Sequence, residues 1–321
     1  MAKPRATGAD ARLIGITEVT YGTAPTDGYF VLPFKSTDLD KETPIGDDPL
    51  LGQGRAAQGA YYDRPSVSGG FEIPLDIQSA GFWLHGLMGA PTTTGTNPYT
   101  HVFTAGGNTP SKTLEVGHTQ LATPSYRRYL GVNLNDFSFS MSPRGVASAR
   151  VNVVAQSRVI AATSIDATPA VTYVVTRFSQ GMGSIKVGGT QIAYVTAGDF
   201  NFTNSPDVVE TIRADGLIDG VDMGQARPSG SMTVRLSDHA TQTTLQTAFD
   251  NQAPVVLQYG FTHPGGWSLM FDMPRVLLAA PKAPITGPGG VEQQIAWQAE
   301  NDSTAGYGLR VTLVNNVATY T

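Results

Sequence analysis

The sequence predicts a mainly β protein built from two related halves, each with one short flanking helix and one long loop. The 321 residues include 36 glycines and 21 prolines spread without a collagen-like period, which favours short strands joined by turns over long helices. Several segments alternate apolar and polar residues, as strands with one buried face do. A series of segments also recurs in the same order in both halves of the chain.

The composition is that of a globular protein. Hydrophobic residues make up 40% of the chain and charged residues 15%, against usual shares of about 45–50% and about 25%. The formal net charge of −5 argues against a surface evolved to bind phosphates tightly. The absence of cysteine excludes disulfides and Cys-ligated metals. The start of the chain lacks the apolar run of a signal peptide, and no run of about 18 apolar residues is present, so we expect synthesis in the cytoplasm.

The first repeated element is a strand that follows an Arg-Pro-Ser motif. In the first half the motif occupies residues 64–66, two extra glycines follow, and residues 71–75 alternate Phe, Ile and Leu with other residues. In the second half the motif occupies residues 227–229, and residues 232–236 alternate Met, Val and Leu. The matched alternation predicts two equivalent strands, each with one buried face.

A short amphipathic helix is predicted after each of these strands. Ser79 and Asp238 are predicted to cap the two helices, because their side-chain oxygens can accept from free N–H groups in the first turn. The spacing i, i+3, i+4, i+7 and i+8 is shared by Ala80, Trp83, Leu84, Leu87 and Met88 in the first half and by Thr241, Thr244, Leu245, Ala248 and Phe249 in the second.

Each half then offers a long hairpin. The first runs from residue 130 to residue 153, with a turn at 142–145. The second runs from residue 269 to residue 297, with a connection rich in Pro and Gly at 287–290. A repeat of strand, helix and hairpin in one order indicates a tandem duplication. The predicted domains are residues 1–166 and 167–321, joined by a linker around 161–169 that precedes a strand-like segment at 171–175.

A long polar stretch precedes each Arg-Pro-Ser motif, at residues 36–63 and 198–226. Thr37-Asp38-Leu39 opens the first and Gly198-Asp199-Phe200 the second. Loops of this length are uncommon in compact domains unless they are functional, so we interpret both as assembly arms. The candidate inter-subunit residues in them are Asp38, Asp40, Glu42, Asp47, Asp48, Arg55, Tyr61, Tyr62, Asp207, Glu210, Arg213, Asp215, Asp219 and Asp222.

The clustered carboxylates of the arms leave several interpretations open. They can be solvated loop charges, the acidic lining of a channel, or contacts between subunits. A glycoside-hydrolase pair or a calcium loop fits less well, since no DxDxDG spacing occurs and no aromatic residues are interleaved to hold a sugar.

No catalytic, cofactor or metal motif stands out. Asp238-His239 has no GxSxG motif to complete a triad. Residues 52–57 match the relaxed dinucleotide pattern GxGxxA, but Asp47-Asp48-Pro49 stands where a buried strand is needed, so we interpret them as a flexible loop. Neither an HExxH motif nor a close metal-ligand pair is formed by the five histidines, which are His85, His101, His118, His239 and His263.

The start of the chain resembles one family of tail tube (major tail) proteins of long-tailed, siphophage-type bacteriophages. The similar residues are Glu18-Val19-Thr20-Tyr21-Gly22-Thr23-Ala24-Pro25, followed by Phe30 and Pro33. The order of strand, long loop, strand, short helix and hairpin is similar as well. This resemblance implies a β-sandwich or barrel flanked by a helix, of which six copies usually close a ring. In tandem-duplicated forms three chains make a pseudo-hexameric ring, and the repeat places this chain among them.

The resemblance also implies a function and partners. It implies a non-enzymatic structural protein of the virion, assembled in the host cytoplasm, that stacks as homotrimeric rings into a tube for DNA ejection. The implied partners are further copies of itself, the tape-measure protein and DNA held loosely in the lumen, and tail terminator and baseplate proteins, without a cofactor or membrane. A net negative lumen is expected, because basic walls would hold DNA. The alternatives are a head-decoration or baseplate tube-initiator protein, and a secreted β-sandwich adhesin or polysaccharide-active enzyme.

Overall fold

The computed structural model describes residues 5–320 except 53, 57, 193, 237–238, 281 and 286, and for residues 239–242 and 244 it describes the backbone alone. Within this part of the chain it has 24 β-strands, two α-helices and two short 3-10 helices at Gly8–Asp10 and Gln180–Met182. The prediction of a mainly β protein is confirmed. Twenty strands join one hydrogen-bonded sheet, which does not close into a barrel within the described residues, and four strands form two separate hairpins.

The described residues of the first half hold thirteen strands and one α-helix. The helix is α1 (Ala80–Met88). The strands are β1 (Ala11–Thr17), β2 (Phe30–Leu32), β3 (Ser36–Thr37), β4 (Asp40–Glu42), β5 (Ile45–Asp47), β6 (Ala60–Tyr62), β7 (Ser66–Pro74), β8 (Thr92–Thr94), β9 (Tyr99–Thr104), β10 (Lys112–His118), β11 (Ser125–Met141), β12 (Ser148–Ala155) and β13 (Ser157–Ala161).

The described residues of the second half hold eleven strands and one helix. The helix is α2 (His239–Asp250). The strands are β14 (Val171–Thr172), β15 (Gly183–Val187), β16 (Thr190–Gln191), β17 (Val195–Thr203), β18 (Asp207–Val209), β19 (Gly220–Asp222), β20 (Arg227–Arg235), β21 (Val255–Thr262), β22 (Ser268–Leu278), β23 (Glu292–Ala299) and β24 (Arg310–Asn315).

The two halves pair their strands in the same order. In the first half the antiparallel pairs are β1 with β10, β10 with β11, β11 with β12, β11 with β13 and β12 with β7. Their counterparts are β15 with β21, β21 with β22, β22 with β23, β22 with β24 and β23 with β20. Strands β8 and β9 have no counterpart among the described residues of the second half, and β9 pairs across the halves with β24.

The predicted hairpins are both present, and their registers agree. In the first, Leu134 pairs with Val153, and after a register shift Ser138 pairs with Arg150. In the second, Leu278 pairs with Trp297, and Lys282 forms a bridge with Gln294. The spacing between these pairs is the same in both hairpins, so Ser138 and Lys282 occupy equivalent positions.

The Arg-Pro-Ser motifs are not equivalent in the structure, although the alternating residues after them are. Phe71 of β7 pairs with Val151 in the first half, and Met232 of β20 pairs with Ile295 at the equivalent point of the second. Counting back along each ladder, Arg64 falls before β7 whereas Arg227 begins β20. The interpretation of two inserted glycines is therefore wrong. Gly69 and Gly70 belong to the ladder, and a Cβ on Gly69 would lie 2.6 Å from the Cα of Leu39.

Both predicted helices are present, but the first differs from the prediction in two ways. All nine residues of α1 are buried, so the helix has no solvent-facing stripe. Ser79 does not cap it, because its backbone is already helical and its side chain makes no capping bond. Instead the Asp76 carboxylate accepts from the N–H groups of Gln78 and Ser79. In α2, Leu245 is buried, while Asp238 and the side chains of Thr241 and Thr244 lie outside the described residues.

The long stretches at 36–63 and 198–226 are not loops throughout, so that part of the prediction is wrong. Their opening residues form β3, β4 and the end of β17, which pair with β7 and β20. The equivalence of Thr37 and Gly198 holds, since Thr37 pairs with Phe71 and Gly198 with Met232. Only residues 43–65 and 204–226 leave the sheet. Each of these ranges folds into a small hairpin, β5–β6 and β18–β19.

The linker prediction is partly correct. Residues 162–170 are irregular, but residues 157–161 continue the sheet as β13, and only Val171 and Thr172 of the strand-like segment form a strand. The irregular part is fixed by contacts: the Tyr29 N–H donates to the Asp166 carboxylate, and Arg12 donates to the Asp166 carbonyl. The division of the chain at residue 166 remains a prediction, because strands of both halves share one sheet and one hydrophobic core.

Candidate assembly surfaces

The first candidate surface is the edge segment 37–42, which comprises the end of β3, the irregular residues 38–39 and β4, and which forms strand pairs only with β7 among the described residues. Asp38 accepts from Arg150 at 2.6 Å and from the Gly70 N–H at 2.6 Å. The hydrogen bond from Arg150 is the main cause that lowers the pKa of Asp38. Asp38 thus lies on the edge of a sheet and has partners inside the chain, although it was predicted in a loop.

Asp40, on the same edge, binds two arginines. Arg127 lies 3.0 Å from one carboxylate oxygen, and Arg158 bonds the other. Burial alone would raise the pKa of Asp40, but the Lys41 N–H, Arg158 and Arg127 together lower it below its ordinary value. Glu42 is exposed at the end of the strand. The edge therefore carries carboxylates at three alternate positions, 38, 40 and 42.

The second candidate surface is the first arm, defined as residues 43–65. Its β5–β6 hairpin pairs only with itself within the described structure, and it holds Asp47, Asp48, Arg55, Tyr61 and Tyr62, as the sequence predicts. Large apolar side chains in this arm are solvent-exposed: Ile45 by 70%, Leu51 by 96% and Tyr62 by 78%. Exposed apolar groups gathered on one projecting element indicate a contact surface for another molecule.

The second arm, defined as residues 204–226, lies against the first half of the same chain. Arg64 donates to the carbonyls of Gly216 and Leu217, and lies 3.8 Å from the Glu210 carboxylate. Gln156 donates to the carbonyl of Ile218, whose side chain is buried. These contacts explain why the two arms differ in exposure even though both are hairpins of equal length.

The predicted charged residues of the second arm are all at its surface. Arg213 forms ion pairs with Asp215 at 2.8 Å and with Asp219 at 3.1 Å. The hydrogen bond from Arg213 is the main cause that lowers the pKa of Asp215. Asp207 and Asp222 face each other across the β18–β19 ladder. The structure brings these acids together, but it does not join them to those of the first arm.

A third surface was not predicted from the sequence. Ala279 and Lys282, which follow β22, contact β23 on one side: the Ala279 N–H donates to the Ala296 carbonyl, and Lys282 forms an isolated bridge with Gln294. No described strand covers their other side. Lys282 is exposed, and Ile285 is 80% exposed. The sequence gives little indication of a strand here, because prolines interrupt the alternation of apolar and polar residues that is typical of strands.

The opening motif that carries the family resemblance forms a buried hydrogen-bond network, which sequence reasoning missed. The Glu18 carboxylate is only 8% exposed and accepts four hydrogen bonds. The donors are the N–H groups of Gly22 and Gly131 and the hydroxyls of Ser111 and Thr113, at 2.7–2.9 Å. Glu18 therefore fixes the turn after β1 to strands β10 and β11, which is a structural role.

Two of the histidines considered for chemistry make contacts inside the fold. His85 contacts Lys112, and His101 bonds Thr93 and the Val317 carbonyl. Gly52 and Gly54 lie at the tip of the first arm with positive φ and open space around them, while residues 53 and 57 of the same pattern lie outside the described residues. No cluster of three or more potential metal ligands occurs among the described residues. In that part of the chain, no helix has the length and apolar character needed to cross a bilayer.

Comparison with known proteins identifies the family. The family described as phage tail tube protein matches residues 8–299, which is nearly the whole chain. No curated protein matches the sequence. The chain belongs to the phage tail tube protein family, and is therefore a structural component of a phage tail. The resemblance noted at residues 18–25 is confirmed by a match that spans both halves.

Proposed function

We propose that this protein polymerises as stacked rings of three chains into the tail tube, and that the bore of the tube is the channel for DNA ejection. The family match over residues 8–299 is the observation that carries the tube function. The chain acts as a structural subunit and not as an enzyme. Its partners are further copies of itself, the tape-measure protein and DNA in the lumen, and the terminator and baseplate proteins at the two tube ends.

The stoichiometry rests on the paired order of strands. Each half has the same set of five strand pairs, and the arms are hairpins of the same length and register. Two equivalent units per chain supply six positions from three chains. Head-to-tail contacts that close give a ring, and axial contacts that do not close extend rings into a tube. Ring closure also covers sheet edges that are otherwise open to aggregation.

The stoichiometry can be measured on the purified chain. Native mass spectrometry of rings released from tubes is expected to give a mass of three chains, and negative-stain microscopy is expected to show uniform tubes with pseudo-sixfold end views. Rings of six chains would contradict the duplication. A chain that stays monomeric at high concentration would contradict the tube function itself.

A further inference from the structure

The pair of β11 with β17 is one of three strand pairs that join the two halves among the described residues, beside β9 with β24 and β2 with β14. The second part of β11 pairs antiparallel with β17, so that Asp136 lies opposite Thr203 and Ser138 opposite Asn201. Met141, at the end of this pair, is only 7% exposed and belongs to the common hydrophobic core. The edge of each half is thus covered by a strand of the other half at this junction.

Each of the two strands in this junction has a counterpart in the other half of the chain. On that counterpart, the side that the junction would cover has no strand beside it among the described residues. Ser138 of β11 is equivalent to Lys282, by the hairpin registers described above. Asn201 of β17 pairs with Ser229, and Asp40 pairs with Ser68. Ser229 and Ser68 each lie three residues before the aligned residues Met232 and Phe71, so Asn201 and Asp40 are equivalent. Among the described residues, neither the segment around Lys282 nor the strand around Asp40 has a strand on the side that the junction covers.

The exposure of side chains at these positions indicates a missing partner. Ile285 is equivalent to Met141, yet it is 80% exposed where Met141 is 7% exposed. The first arm likewise exposes Ile45 and Tyr62, whereas the second arm buries Ile218 against the first half. Ile285 therefore lies where the equivalent side chain is buried inside the chain, and the hydrophobic effect favours covering both this side chain and the exposed ones of the first arm.

We propose that the contact between neighbouring chains repeats the junction of β11 with β17: the residues around Lys282 of one chain, Ala280 and 282–285, pair antiparallel with the edge segment 37–42 of the next. This inference rests on the proposed function, and it identifies the occupant of the open edges as a second copy of this chain. The register follows from the β11–β17 pair. Ala280 lies opposite Glu42, and Lys282 lies opposite Asp40.

The charges on the two edges are complementary. Asp38, Asp40 and Glu42 stand at alternate positions of the edge, and Lys282 is the cation at the centre of the facing segment. Asp38 and Asp40 already bind arginines, so the acid available to Lys282 is Glu42, which lies two residues along the edge and has no ion pair among the described residues. Pro281 and Pro284 have no N–H to donate, so this ladder is shorter than that of β11 with β17.

Cysteine cross-linking tests the register, because the natural chain contains no cysteine. The variant Glu42→Cys/Ala280→Cys leaves the Asp40 cluster intact and places both thiols at facing positions. Oxidised tubes, or tubes treated with a short thiol-specific cross-linker, are expected to give covalent dimers and trimers on a denaturing gel, with no larger species.

Two matched variants control the experiment. Asp136→Cys/Thr203→Cys places thiols at the equivalent pair within one chain, so it is expected to cross-link without changing the chain's oligomeric mass. Glu42→Cys/Ile285→Cys offsets the thiols by five residues, about 17 Å along a strand, and is expected not to cross-link.

The outcomes separate this inference from the proposed function. If the Glu42→Cys/Ala280→Cys variant forms tubes without cross-linking between chains, while the within-chain control cross-links, the register inference is wrong and the tube function stands. If the unmodified chain forms neither rings nor tubes, the proposed function fails and the inference fails with it.

Discussion

At the scale of single residues, two of the buried charged side chains of the first half, Glu18 and Lys112, differ greatly in the groups that surround them. Glu18 has four hydrogen-bond donors around its carboxylate, two of them backbone N–H groups. Lys112 is completely buried and forms no ion pair with any described carboxylate. Its Nζ donates to Thr17 at 2.9 Å, and lies 3.4 Å from His85 Nδ1 and 4.2 Å from the centre of the Phe82 ring.

Replacing Lys112 by Met is expected to stabilise the protein at neutral pH. Burial lowers the pKa of Lys112 from 10.5 to about 7, so the folded state disfavours the charged amine. This penalty is present in full below about pH 7, and it disappears as pH rises to the unfolded pKa near 10.5. We expect Lys112→Met to raise the free energy of unfolding by about 2–4 kcal/mol at pH 7.

The same variant should show no difference from the natural chain near pH 10.5. Urea unfolding of both proteins across pH 7 to 10.5 measures this convergence. A constant difference at all pH values would show that packing, and not the charge of Lys112, causes the effect.

Replacing Glu18 by Gln is expected to destabilise the fold strongly. The amide nitrogen cannot accept a hydrogen bond, so two buried donors lose their partner, at a cost of about 2–4 kcal/mol. The exposed Glu292 of β23 is the control, and Glu292→Gln is expected to change stability by less than about 0.5 kcal/mol. Unfolding midpoints in urea measure both, and equal effects would refute the structural role assigned to Glu18.

At the scale of elements, we assign the first arm to assembly and the second arm to the stability of the folded chain. The β5–β6 hairpin of the first arm forms strand pairs only with itself among the described residues, whereas the second arm accepts hydrogen bonds from Arg64, at the base of the first arm, and from Gln156. Sequence analysis found both arms, but it treated them alike. Their difference depends on which surface each one meets, and a local pattern of polar residues does not contain that information.

Deleting residues 44–60 is therefore expected to block tube growth while leaving a folded, soluble subunit. The deletion removes no strand of the main sheet and takes away the exposed Ile45, Leu50 and Leu51. Circular dichroism and sedimentation test folding and solubility, and negative-stain microscopy tests tube growth. Deleting residues 205–221 is the matched control, and it should lower thermal stability because it exposes the surface under Ile218. Tubes of normal length from the first deletion would disprove the assembly role of the first arm.

At the scale of the whole molecule, the excess of acidic over basic residues bears on how DNA would move through the tube. DNA carries one charge per about 1.7 Å of axis, so basic walls would retain it through counterion release. The chain has 26 acidic against 21 basic residues, and several acids occupy the edge segment 37–42 and the arms. Acidic walls would keep DNA centred and sliding.

The lumen of the assembled tube is accordingly expected to be net negative. Salt screens charges beyond about 8–10 Å, so only groups within that distance of the bore act on the DNA. A cryo-electron microscopy reconstruction of the tube gives the sum of charges in this zone. A clearly positive sum would falsify the sliding-channel mechanism, even if the tube itself were confirmed.

The sequence by itself determined the mainly β class, the two short helices, the two hairpins and the equivalence of Thr37 with Gly198. These follow from local periodicity, since a strand or helix with one buried face needs apolar residues at a fixed spacing. Tertiary structure decided the rest. It aligned β7 with β20 by their partners Val151 and Ile295 and not by the Arg-Pro-Ser motif, and it buried α1 on all sides. It also left the edges at 37–42 and around Lys282 without a neighbouring strand among the described residues. Ladder register and burial depend on contacts between residues far apart in the chain, which no local spacing specifies.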